Sequence, residues 1–150
     1  MTRDMPPVSG PIEISGIGAQ GDGIAETAHG RVFVPFTLPG ERVRAEVVGR
    51  RGDGWTARLL EVEQPSTLRV AAPCPHFGTC GGCMMQHADP TMYRDWKRGL
   101  VEVALRQRGL AMPEDATLIE TAPDTRRRAR FAAARDEHGL AFGFHAPDST

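Results

Sequence analysis

The stretch Arg31-Val32-Phe33-Val34-Pro35-Phe36-Thr37-Leu38-Pro39-Gly40-Glu41-Arg42-Val43-Arg44-Ala45-Glu46-Val47 decides the fold. It opens with a β-branched and aromatic run, turns at Leu38-Pro39-Gly40, and resumes as an alternation of polar and apolar residues. Alternation at period two marks a strand with one dry and one wet face, and here it gathers Arg42, Arg44 and Glu46 on one face. Outward from this core, Ile12-Glu13-Ile14 alternates in the same way. Gly21-Asp22-Gly23 and Arg51-Gly52-Asp53-Gly54 are turn signals, and Trp55 to Val62 is a further strand. Short strands at this even spacing predict a small closed five-stranded barrel over residues 11–66.

The flanks read differently. Residues 1–10 carry Pro and Gly and are expected to form a flexible tail. Over 91–109 apolar residues recur at helical spacing (Tyr93, Trp96, Leu100, Val103 and Ala104), and Gly109 stops the run. Residues 117–145 return to strands, with a turn at Asp136-Glu137-His138-Gly139 that leaves His138 exposed. The fold class expected is β-rich α+β: the barrel, a loop, one helix and further strands.

The loop between barrel and helix holds all three cysteines of the chain, in Cys74-Pro75-His76-Phe77-Gly78-Thr79-Cys80-Gly81-Gly82-Cys83. An odd count and the lack of an apolar leader after Met1 argue against a disulfide framework. Pro, His, Gly and Thr between the cysteines argue against a core strand. Thiolates at these spacings converge on one metal centre, with glycines that let the backbone turn around it. Two centres remain open on spacing alone. One is an iron–sulfur cluster. The other is a Cys3His zinc site of Cys74, Cys80, Cys83 and His87, with His76 as a second candidate histidine.

Net charge is −1, which excludes a chain that is polybasic as a whole. Residues 1–66 carry −2 and residues 67–150 carry +1, and Arg126, Arg127, Arg128 and Arg130 form a local basic patch. No apolar run approaches the roughly 20 residues of a membrane span.

Several segments together resemble one family. Ile17-Gly18-Ala19-Gln20-Gly21-Asp22-Gly23-Ile24-Ala25, Val32-Phe33-Val34-Pro35-Phe36 and Leu38-Pro39-Gly40-Glu41-Arg42-Val43 resemble a TRAM domain, an OB-like RNA-binding module. The cysteine run, Gln86-His87 and Tyr93-x-x-Trp96-Lys97 resemble the iron–sulfur loop of S-adenosylmethionine-dependent RNA uracil-5 methyltransferases. Arg126-Arg127-Arg128-Ala129-Arg130-Phe131 and Gly143-Phe144-His145 look like strands of that family's central domain.

The resemblance implies a 4Fe–4S cluster on Cys74, Cys80 and Cys83, with a fourth cysteine downstream of this chain. It implies that residues 67–150 are the iron–sulfur loop and an incomplete central domain, followed beyond Thr150 by a methyltransferase domain that holds S-adenosylmethionine. This chain is then expected to be inactive alone, with no catalytic residue and no cofactor turn of its own: Gly16, Gly18, Gly21 and Gly23 lie between β segments rather than opening a helix. The implied partner is RNA, ribosomal rather than transfer RNA. A cytoplasmic monomer with no membrane association is expected. The alternative of a different class is a non-catalytic RNA-binding module with the Cys3His zinc site.

For RNA contact, an OB-like barrel uses positive charge and stacking faces. Arg31, Arg42, Arg44 and Arg58 with Phe33 and Phe36 are the barrel candidates; the same phenylalanines suit a core and the same arginines a solvated face. Strand alternation would aim Arg126, Arg128 and Arg130 one way, toward phosphate or base edges, with Glu120 and Asp124 as competing ion-pair partners. Trp96 is expected to anchor packing against the cysteine loop.

Overall fold

The computed structural model describes residues 10–122, 125, 127–137 and 139–147. Residues 1–9 of the tail expected over 1–10, Asp124, Arg126 and His138 lie outside the described residues.

Six strands build one mixed sheet: β1 (Ile12–Glu13), β2 (Gly16–Ile17), β3 (Gly23–Thr27), β4 (Gly30–Val34), β5 (Arg42–Arg51) and β6 (Gly54–Gln64). Their order is β1-β5-β6-β4-β3-β2. The two end strands are consecutive pieces of the chain. Between them the Ile14 N–H donates to the carbonyl of Glu41 (2.9 Å), and the Ser15 N–H donates to the carbonyl of Ile24 (2.8 Å). Residues 12–17 therefore pair with β5 first and β3 next, and this switch closes the sheet into a barrel. The expected five strands are present, with the first split between two neighbours.

The turns arise from local chemistry. Arg51 pairs with Gly54, so Gly52-Asp53 is a two-residue hairpin turn, and Gly52 takes the left-handed φ of 58° that such a turn demands. Register shifts at Arg42/Val43, Arg44/Ala45 and Val47/Gly49 are bulges that curl the long β5–β6 ladder. β4 runs parallel to β6, with Val32 opposite Trp55.

The alternation of β5 buries Val43, Ala45 and Val47 and exposes Arg42, Arg44 and Glu46. With Ile14, Ala25, Val32, Val34, Trp55 and Ala57 they fill the barrel. Each large side chain removed from water here contributes roughly 1.5–3 kcal/mol. Gly23 sits where any Cβ would overlap the Thr37 hydroxyl and stand 2.9 Å from Ile14, so that strand crossing needs glycine.

A second, smaller core of Leu38, Met85 and Ala88, backed by Ile17, Met84, Met92 and Trp96, joins the barrel to the cysteine loop and the helix. That helix, α1 (Pro90–Arg106), starts at Asp89, whose carboxylate accepts the N–H groups of Thr91 (2.8 Å) and Met92 (3.3 Å), with proline in the first turn. Gly109, at φ 71°, lies in the turn that ends it. Of the expected apolar face only Trp96 and Leu100 are half-buried; Tyr93, Val103 and Ala104 are exposed.

The chain after α1 departs from expectation. β7 (Ala132–Asp136) and β8 (Gly139–Gly143) form a two-stranded hairpin. Residues 127–130 are not strand. An extended segment becomes a strand only where a neighbour takes up its backbone hydrogen bonds, and among the described residues none lies beside them. Arg128 and Arg130 therefore do not share a strand face.

Candidate metal centre and nucleic-acid interface

The cysteine loop is closed at its base by backbone pairing. The Val70 N–H donates to the carbonyl of His87 (2.9 Å), and the Asp89 N–H donates to that of Leu68 (2.8 Å). Within the loop the N–H groups of Thr79 (3.1 Å) and Cys80 (2.9 Å) both donate to the carbonyl of His76, with Gly78 at φ 88° between.

None of the three cysteines is disulfide-bonded, and all are half-buried. Gln86 ties two of them together. Its carboxamide Nε2 donates to Cys83 Sγ (3.0 Å), and its Oε1 accepts the Cys74 N–H (3.2 Å). Cys80 Sγ accepts the N–H of Gly82 (3.4 Å). Two of the three sulfurs thus receive N–H donors.

Gly81 and Gly82 carry the segment after β8. The Gly81 N–H donates to the carbonyl of His145 (2.8 Å), and a Cβ on Gly81 would stand 2.7 Å from that oxygen. A Cβ on Gly82 would meet the Phe144 ring at 3.3 Å. A cleft of about 500 Å³ lies where barrel, loop and this segment meet, bordered by Asp22, Arg51, Phe36, Cys83 and His145.

Among the described residues no three His, Cys, Asp or Glu side chains stand close enough to hold a metal ion. The tetrahedral set of Cys74, Cys80, Cys83 and His87 is therefore not assembled in this arrangement, and the three cysteines do not converge by themselves. His76 is exposed. His87 is 2 % exposed, its ring 5.3 Å from that of Phe77, and neither ring nitrogen has a hydrogen-bond partner. Burial, helped by the Arg69 charge, lowers its pKa to about 4 against the opposing pull of Glu41 and the Thr37 backbone. The imidazole is neutral at pH 7. The donor chemistry of the three cysteines still suits a thiolate-bound centre, with Gln86 and the Gly82 N–H as its outer hydrogen bonds.

A buried ion pair fixes the loop's entry. Glu41 is fully buried and accepts Arg69 Nε (2.5 Å) and Nη2 (2.8 Å), and the N–H groups of Leu38 (2.9 Å) and Ser66 (3.3 Å). Arg69 also donates to the carbonyl of Phe36 (2.8 Å). Phe36 is the one described non-glycine residue with positive φ, at 63°, and its ring meets Phe77 edge-on at 5.3 Å. Strain of that kind persists only where the surroundings over-determine it; here they are Arg69 and Phe77.

The barrel arginines are engaged. Arg42 (3.4 Å) and Arg44 (2.7 Å) share Glu63, Arg58 pairs with Glu46 (2.5 Å), and Arg31 pairs with Glu26 (3.1 Å). Exposed pairs of this kind contribute little each. Phe33 lies beneath the Arg51 guanidinium (4.4 Å to the ring centre), and Arg51 also reaches Asp22 and Gln20. Phe33 and Phe36 are half-buried and stand outside the barrel core. Glu120 pairs with Arg94 (3.1 Å). Arg127, Arg128 and Arg130 are exposed. Trp96 is an anchor: its Nε1 donates to the carbonyl of Gly18 (3.1 Å) while the ring packs on the second core.

No protein-family model matches the chain. Individual relatives do. An uncharacterized RNA methyltransferase of Rhizobium meliloti is 45% identical over 147 residues, covering 94% of this chain and 34% of its own length. A 23S rRNA (uracil(1939)-C(5))-methyltransferase of Halomonas elongata is 40% identical over 139 residues, 91% of this chain and 29% of its own length. Another of the same name, from Alkalilimnicola ehrlichii, is 37% identical over 152 residues, 97% of this chain and 34% of its own length. The chain thus spans about a third of the length of these relatives. Over the residues it spans, the chain belongs with these RNA methyltransferases in one family.

Proposed function

We propose that this chain is the RNA-binding and iron–sulfur region of an S-adenosylmethionine-dependent RNA uracil-5 methyltransferase that acts on ribosomal RNA. The observation that carries the proposal is the hydrogen-bonded cysteine loop. Gln86 holds Cys74 and Cys83 in one unit, and the loop rests on the barrel through Glu41, Arg69, Phe36 and Phe77. The identity to named 23S rRNA uracil methyltransferases, extending over 91–97% of the chain, supports the substrate class.

In this reading residues 11–66 are a TRAM-type barrel and residues 67–150 an iron–sulfur loop with part of a central domain. Cys74, Cys80 and Cys83 hold a 4Fe–4S cluster, with a fourth ligand from outside these residues. Once bound, the cluster contributes folding free energy to the loop. The chain's own residues then have plain tasks. Gln86 orients two ligands, Gly81 and Gly82 let the Phe144–Ala146 segment lie against the loop, and Arg126, Arg128 and Arg130 meet phosphate. Glu63 competes with RNA for Arg42 and Arg44, which ranks them behind that patch. S-adenosylmethionine belongs to a part of the enzyme outside this chain, and a cytoplasmic monomer is proposed.

The test is methyl transfer by the native gene product from labelled S-adenosylmethionine to 23S ribosomal RNA. Label in 5-methyluridine is the expected result. A folded, cluster-loaded protein that leaves every RNA unlabelled would overturn the proposal.

A further inference from the structure

One face of α1 borders a cleft of about 690 Å³ that adjoins the proposed cluster site, since Gly82, Cys83 and Gln86 also line it, and that Arg127, Arg128 and Arg130 do not border. Tyr93, Trp96 and Lys97 form one wall, Met84 and Met85 of the loop another, and Gln20 of the barrel a third. Spacing of three and four residues puts Tyr93, Trp96 and Lys97 on the same side of the helix. The Tyr93 and Trp96 rings are 5.9 Å apart and inclined by 43°. The Lys97 ammonium lies 5.6 Å from the first ring centre and 5.0 Å from the second.

Three observations say what such a cleft takes. Trp96 is pinned by its bond to Gly18, so the wall is rigid. Tyr93 is 38% exposed and offers an open aromatic surface. Lys97, the single lysine of the chain, forms no ion pair among the described residues, whereas its neighbour Arg94 is held by Glu120. A cation left to two rings is available to an anion. Lys97 is the one Lys, Arg, Asp or Glu among the residues that line the cleft, so the charge it presents is positive.

An aromatic and thioether slot with a cation at its edge matches one unstacked nucleotide: a flat base for the apolar walls, a phosphate for the ammonium. Resting on the proposed RNA methyltransferase function, the geometry points to this cleft as a seat for one unpaired base of single-stranded RNA, the base against Tyr93 and Met84 and the adjoining phosphate on Lys97. Arg127, Arg128 and Arg130 do not line this cleft.

The experiment measures binding of a short fluorescent oligouridylate to the native gene product, with 23S methylation assayed in parallel. Tyr93→Leu keeps apolar bulk but removes the ring, and it is expected to weaken binding about tenfold or more. Tyr93→Phe is expected to bind as wild type. Lys97→Gln is expected to weaken binding and to lower the slope of log affinity against log salt by about 0.7. Wild-type binding by both Tyr93→Leu and Lys97→Gln, in an enzyme that still methylates, would overturn the cleft alone. Lower thermal stability of Tyr93→Leu with unchanged RNA affinity would mean that protein fills the cleft, and would overturn it too. A wild-type enzyme that neither binds the oligonucleotide nor methylates would remove the functional proposal itself, and the cleft with it.

Discussion

The Glu41 carboxylate, fully buried, is held by the guanidinium of Arg69 from beyond the barrel. Burial alone would raise the Glu41 pKa. The hydrogen bonds from Arg69 and from the Leu38 and Ser66 backbone, with the Arg69 charge, outweigh burial and hold it below the ordinary carboxylate value. The pair ties residue 69, five positions before the first cysteine, to the Leu38-Pro39-Gly40 turn.

Removing one partner leaves the other buried or half-buried without compensation. Glu41→Gln is therefore expected to destabilise the fold by about 3 kcal/mol, read as a lower midpoint in chemical denaturation at pH 7. Because the folded pKa is depressed, this contribution is present above about pH 4.3 and fades as pH falls further. A midpoint unchanged by the substitution would contradict the assignment.

His87 adds a second acid sensitivity in a higher window. Its folded pKa of about 4 lies below the ordinary value of 6.5. The unfolded chain takes up the proton first, so stability is full above about pH 6.5 and declines as pH falls toward 4, by about 3 kcal/mol in all. His87→Leu removes two unsatisfied nitrogens and is expected to flatten the stability profile between pH 7 and pH 5. A variant with the wild-type slope there would show that His87 is not the group titrating.

Gln86→Leu keeps the bulk of Gln86 and removes both of its hydrogen bonds, to Cys83 Sγ and from the Cys74 N–H. Substitutions of this outer kind cost about 10- to 100-fold in metal affinity. The variant is expected to lose iron faster to a chelator than wild type while its far-ultraviolet circular dichroism stays the same. Equal rates of loss would mean that Gln86 does not support the sulfurs.

The two arginine groups should separate by salt dependence of RNA affinity. Replacing Arg126, Arg128 and Arg130 by Gln is expected to lower the slope by about 2, at about 0.7 per single-strand phosphate. Replacing Arg42 and Arg44 is expected to change it less, since Glu63 already neutralises them in part. The reverse ranking would move RNA recognition onto the barrel.

Much of the barrel was legible because a strand writes its two faces into the chain. The Arg42–Val47 alternation, the Gly52-Asp53 turn and the stop near Gly109 are local signals. The features that escaped are non-local. Period-two alternation gives a face but not a partner, so the pairing of Arg42 and Arg44 with Glu63 across the β5–β6 ladder was invisible, as was the split of residues 12–17 between β5 and β3. The arginine run alternates as a strand would, yet residues 127–130 have no neighbouring strand to pair with among the described residues. In the cysteine loop the spacing and the glycines were readable. Gln86 stood out only as part of the family resemblance; its bridge between Cys74 and Cys83 forms only when the loop folds back and has no local signal. The left-handed Phe36 had no signal either: such a backbone favours glycine, and only contacts from Arg69 and Phe77 hold it.

The most direct measurement is the metal and sulfide content of the native gene product purified without oxygen. Brown protein with about four iron and four acid-labile sulfide per chain is expected. Ala at any one of Cys74, Cys80 or Cys83 should lower both together. Colourless protein with one zinc per chain and no iron would contradict the iron–sulfur assignment.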